Sequence, residues 1–87
     1  MKRIVVESDE ASGFDAVLGE KVVLFCGIYI YTGVLSGVND DHLELTEPKL
    51  VYDTGELARG DWADAQELLS PWRVMKEHVE SWGPAKC

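Results

Sequence analysis

From Val22 to Val38 the chain is almost continuously apolar, aromatic or β-branched, yet Gly27, Thr32, Gly33, Ser36 and Gly37 break the run every few residues. A membrane-spanning helix needs about 20 largely apolar residues in a row, and glycine is poorly tolerated inside helices. The stretch therefore predicts short strands. Lys21-Val22-Val23-Leu24-Phe25-Cys26 is too uniformly apolar to turn one face to water, which predicts core on one side and a helix or neighbour on the other. Ile28 to Tyr31 and Gly33 to Val38 continue the pattern, with Gly33 and Gly37 placed to bend a strand sharply. Asn39-Asp40-Asp41-His42 has turn chemistry, because Asn and Asp side chains bond their own backbone and tolerate left-handed conformations. Leu43-Glu44-Leu45 then alternates strictly, which completes a hairpin. Pro48 interrupts, and Lys49 to Asp53 reads as the same strand resumed after a bulge and ending at Thr54-Gly55.

The flanks are less regular. Asp9 to Gly19 predicts a short helix with Ser12 as N-cap, Phe14, Val17 and Leu18 on one face, and Gly19 ending it in a left-handed cap. Gly55 to Ser70 reads as a long variable connection in which Asp61 caps a short helix from Trp62 to Leu69, with Trp62, Ala65, Leu68 and Leu69 sharing a face. Two structures compete for the last segment. Trp72, Met75, Val79 and Trp82 recur at helical spacing behind Ser70-Pro71, a good helix start, so periodicity alone favours a helix. The alternative is two short strands, Trp72 to Met75 and Val79 to Trp82, bent apart at Lys76-Glu77-His78.

With 87 residues, 46% of them hydrophobic, the chain has material for one core and not two. A core of this size is marginal alone, which predicts a stabilising partner. Two basic residues open the chain, but only Ile4, Val5 and Val6 follow before Glu7, so no signal peptide and no membrane association are expected. Cys26 and Cys87 form no framework, which suits a reduced, cytoplasmic protein with Cys26 in the core and Cys87 as an exposed tail thiol. Acidic residues outnumber basic ones by 16 to 8, for a net charge of -8, so any contact with nucleic acid must be local. His42 and His78 are the only histidines, and neither lies in a nucleophile motif. Metal-ligand spacing and a glycine-rich phosphate loop are missing too, so neither an enzyme nor a cofactor is expected.

Between about Gly19 and Leu45 the chain resembles the Sm/LSm family, which includes bacterial Hfq. The residues that carry the likeness are Gly33-x-Leu35 in the bent strand and Asp40-x-His42-Leu43-Glu44 in the turn, where Glu44 stands in the place of a family Asn that bonds uracil. For the second family motif, Ala58-Arg59-Gly60-Asp61 has the letters but sits before a polar stretch. Val74-Met75-Lys76-Glu77-His78-Val79 has the right surroundings, with Lys in place of Arg and no Gly. As a whole, the chain is also similar to small Sm-like proteins of marine cyanobacterial viruses.

The resemblance implies a mainly β fold: a strongly bent five-stranded antiparallel sheet or small open barrel over about residues 19–83, with a short N-terminal helix and a partly helical variable loop over about 55–70. It tips the last segment toward two strands. It also implies a homo-oligomeric ring of about five to seven subunits, with Trp72, Val74, Val79 and Trp82 at or near the subunit seam. The same four residues would equally serve as ordinary core. A single-stranded RNA or DNA site would collect Asn39, Asp40, His42, Lys76 and His78, with His42 stacking on a base and Lys76 meeting a phosphate. Asp40, Asp41, Glu44 and Glu77 oppose that use electrostatically. The competing function is a structural or protein-interaction module whose acidic face docks a basic partner.

Overall fold

In the computed structural model, which describes residues 13–86, the glycine-punctuated apolar run divides into the two strands of a tight hairpin. Strand β1 is Lys21–Cys26 and β2 is Tyr29–Val38, joined at Gly27, whose φ of 61° suits a residue without a side chain. Strand β3, His42–Asp53, follows the predicted turn. Three more strands complete the sheet: β4 (Asp64–Glu67), β5 (Trp72–Met75) and β6 (Ser81–Pro84). All pairs are antiparallel. The sheet is open and runs β4-β3-β2-β1-β6, with β5 beside β4 on the outer edge of β3.

The bends fall where glycine was expected to put them. Thr32 pairs with Lys49 and Val34 with Thr46, so Glu47 and Pro48 bulge opposite Gly33 alone. Glu47 takes a positive φ of 51° to turn that corner. A second shift sets Ser36 outside the ladder between Leu35 and Gly37, and its hydroxyl donates to the Glu44 carbonyl at 3.1 Å. The strand resumed after Pro48 is thus one strand with β3, as its sequence suggests.

Bending wraps one face around a core of Val22, Leu24, Cys26, Leu35, Leu43, Leu45 and Val74. Leu24, Leu35, Leu43 and Leu45 are wholly buried, each contributing about 1.5–3 kcal/mol by leaving water. Val23 is also buried, on the other face of β1, where it lines a depression with Leu57, Trp62 and Pro84. Both faces of β1 are therefore covered, the outer one, among the described residues, by the 54–63 connection. Thr32, the one buried polar residue among those described, donates its hydroxyl to the Val22 carbonyl at 2.8 Å.

Three expectations need correction. Residues 9–12, including Ser12, lie outside the described residues; Gly13–Val17 is a 3-10 turn and not an α-helix. Its i+3 bonds, Leu18 to Asp15 and Glu20 to Val17, cannot propagate because the Gly19 amide bonds Leu35 in β2 instead, at 2.7 Å. Phe14 and Val17 pack on the core as predicted, while Leu18 is exposed and Gly19 has the expected left-handed φ of 91°. The second correction concerns the connection: Trp62 to Leu69 is no helix, only Leu57–Arg59 makes a 3-10 turn, and Asp64–Glu67 is a strand. The half of β3 after the bulge presents an unpaired edge, and its backbone groups capture this segment, with Val51 opposite Ala65 and Tyr52 Oη donating to Gln66 Oε1 at 2.5 Å. Third, that capture makes six strands where five were expected. The last segment is strand, 3-10 turn (Lys76–His78), strand. No helix among the described residues is long and apolar enough to cross a membrane.

Candidate functional site

The turn after β2 and the 3-10 turn after β5 are brought together by the β3–β5 pairing. His42 stands opposite Met75, and the Lys76 amide donates to the Asp41 carbonyl at 2.9 Å, extending the ladder by one bond. Asn39, Asp41, His42 and Lys76 thus meet at one end of the sheet. The Asn39 amide closes the turn by donating to the His42 carbonyl at 2.9 Å.

Within the turn, His42 is held by both ring nitrogens. Nδ1 lies 2.6 Å from Asp41 Oδ1 and Nε2 lies 3.1 Å from Asn39 Nδ2. Because Asn39 Nδ2 can only donate, Nε2 accepts and Nδ1 carries the proton that Asp41 receives. Both in-plane positions are taken, so the ring offers a ligand its π face and no further hydrogen bond. The hydrogen bond from His42 holds the Asp41 carboxyl below its usual range against a smaller opposing effect of burial, and the charge of Lys76 acts in the same direction as the bond. Lys76 Nζ stands 6.0 Å from the centre of the Phe14 ring, whose π face attracts a cation. Phe14 in turn meets Trp82 at 4.5 Å between ring centres. A shallow depression beside the turns is lined by Asp40, Asp41, Met75, Lys76 and Glu77, so one ammonium faces three carboxylates there.

His78 does not join this group. Its exposed ring lies 3.9 Å from Glu77 Oε1 and borders a separate depression of about 600 Å³ with Tyr29, Tyr31, Arg73 and Cys26. Asp40 is exposed and contributes charge only. Sequence reasoning counted Asp41 only as an opposing charge and missed that it orients His42, and it left out Phe14, which supports Lys76. The first signal was legible as a carboxylate next to a histidine in a turn; the second needed the fold.

Of the residues assigned to a subunit seam, Val74 is buried in the chain's own core, and Trp72, Val79 and Trp82 pack against that core. What β5 and β6 leave unsatisfied is backbone. Each pairs on one side only among the described residues, β5 with β3 and β6 with β1. Among the described residues no group of three or more His, Cys, Asp and Glu converges as metal ligands would. Comparison of the chain with protein-family models, with curated proteins and with solved structures found no match.

Proposed function

We propose that the chain is an Sm-like protein that closes into a homo-oligomeric ring through the edges of β5 and β6 and binds single-stranded RNA or DNA in nucleic-acid processing. The observation that carries this reading is the open sheet itself. Its outer strands β5 and β6 are four residues each, carry core side chains and, among the described residues, leave one row of backbone donors and acceptors unpaired. Such edges are covered by another strand or guarded against it, and on these two strands Arg73 and Pro84 are the only residues of the guarding kind. A repeated head-to-tail contact between unlike edges closes a ring when its rotation allows.

The ligand reading rests on the His42 face and the Lys76 ammonium, which pair a stacking surface with a phosphate contact. The crowded carboxylates make the affinity modest and favour the second reading, in which the acidic face docks a basic protein partner. Light scattering on the purified chain tests the ring, and a monodisperse monomer removes it. Titration of labelled oligo-U and oligo-A at low and moderate salt tests the ligand. His42→Ala and Lys76→Ala are each expected to weaken binding, the first by removing stacking worth about 1–3 kcal/mol. No binding at low salt, or indifference of both variants, favours the protein-interaction module.

A further inference from the structure

Leu69 is 84% exposed in the short link between β4 and β5, next to the free edge of the sheet. A large aliphatic residue in that position has no role in the chain's own core. At the opposite edge, the end of β6 carries a mostly apolar depression of about 330 Å³, lined by Val23, Leu57, Trp62, Pro84 and Ala85. That volume has room for one leucine side chain with part of its backbone. The depression is preformed: the Lys86 stem lies 3.2 Å from where a Gly60 Cβ would sit, and Lys86 Nζ donates to the Ala58 carbonyl at 3.1 Å. These contacts strap the 54–63 connection to the chain's last residues.

We infer that Leu69 of one copy seats in the Val23–Trp62–Pro84 depression of the next copy. This deepens the proposed ring and rests on it. Every strand pair inside the sheet is antiparallel, the more stable arrangement per residue. When β5 adds to the β6 edge of a neighbour in that sense, the residues preceding Trp72 run beside those following Pro84. The link that carries Leu69 then runs alongside Ala85 and Lys86, where the depression lies. Charge agrees with this placement. Glu67, two residues before Leu69, has no ion pair among the described residues, and the depression it approaches is lined by Lys86 and by Asp61, whose carboxylate Arg59 already meets at 3.7 Å. In a chain with twice as many acidic as basic residues, such a lining is uncommon ground.

Because Leu69 is exposed in the single chain, Leu69→Ser leaves the fold intact, which far-UV circular dichroism verifies. Sedimentation equilibrium is expected to show subunit dissociation at least tenfold weaker per contact than wild type, about 1.4 kcal/mol. The register is read independently by cross-linking Leu69→Cys with Ala85→Cys in a Cys26→Ala, Cys87→Ser background. A ladder of disulfide-linked chains on a non-reducing gel is expected. A wild type that is monomeric removes the ring and this contact together. An oligomer unmoved by Leu69→Ser, or one that forms no such ladder, overturns the contact and leaves the ring standing.

Discussion

Replacing Gly33 by alanine tests whether the bend in β2 is set by a close backbone approach. A Cβ built at Gly33 would lie 2.9 Å from the Thr46 carbonyl oxygen, 3.2 Å from Leu45 Cβ and 3.2 Å from Pro48 Cα. Two of those atoms are backbone of the facing bulge and one is the base of a wholly buried side chain, so none can swing aside. Overpacking of this kind costs about 1–3 kcal/mol. The narrower unfolded ensemble of alanine offsets about 0.4–1 kcal/mol, which leaves roughly 1–2 kcal/mol of destabilisation. At about 4–8 °C per kcal/mol for a domain this size, Tm falls by roughly 5–15 °C. Gly83→Ala is the control: its Cβ would meet nothing within 4 Å and its φ is not in the left-handed region, so only the gain through the unfolded chain remains. Both variants are melted with wild type at one protein concentration, followed by far-UV circular dichroism. A Gly33→Ala melt that overlays the wild-type curve would refute the close approach as the reason for glycine there.

Two further predictions concern titration. Carboxyl-detected NMR should place the Asp41 midpoint below the ordinary value of about 3.9, and His42→Ala should move it back up, since the hydrogen bond from His42 is the leading cause of the shift. A depressed carboxyl contributes stability above its unfolded value, and that contribution is lost as pH falls through the folded one. An Asp41 midpoint unmoved by His42→Ala would show that the paired geometry does not persist in solution. Burial, with the charge of Glu80 adding to it, pushes the Cys26 thiol up. Iodoacetamide should therefore label Cys26 far more slowly in the folded chain than in urea at the same pH, with peptide mass spectrometry locating the adduct. A raised thiol works against stability at high pH, because the unfolded chain loses its proton first as pH rises past about 8.5. Equal labelling rates in the two states would place Cys26 in solvent.

Much of the sheet was legible from local chemistry. The uniform apolarity of Val22 to Cys26 announced a strand covered on both faces, Gly33 and Gly37 marked the bends, and Pro48 marked the bulge within β3. Each signal was readable because its cause is local: a missing Cβ, a missing amide proton, a side chain that bonds its own turn. In the candidate site, the Asn39–His42 turn was visible for the same reason, whereas Lys76 was reached only through the family resemblance, which tipped its segment toward strand–turn–strand.

Other features depended on partners distant in sequence. Trp62, Ala65 and Leu68 are spaced like a helix face, yet the spare hydrogen-bonding edge of β3 makes Asp64–Glu67 a strand. The helical spacing of Trp72, Met75, Val79 and Trp82 likewise gives way to β5 and β6, because β3 and β1 each have an edge to fill. His78 follows Lys76 by two residues but faces another depression, since a 3-10 turn rotates successive side chains apart. The residue pattern alone thus determined that Val22 to Asp53 extends, where it bends and where it turns, because those depend on each residue's own stereochemistry. Which edges pair, which stay open, and that Lys76 comes to rest between Phe14 and Asp41 were decided only in the assembled sheet, where backbone groups far apart in the chain must satisfy one another.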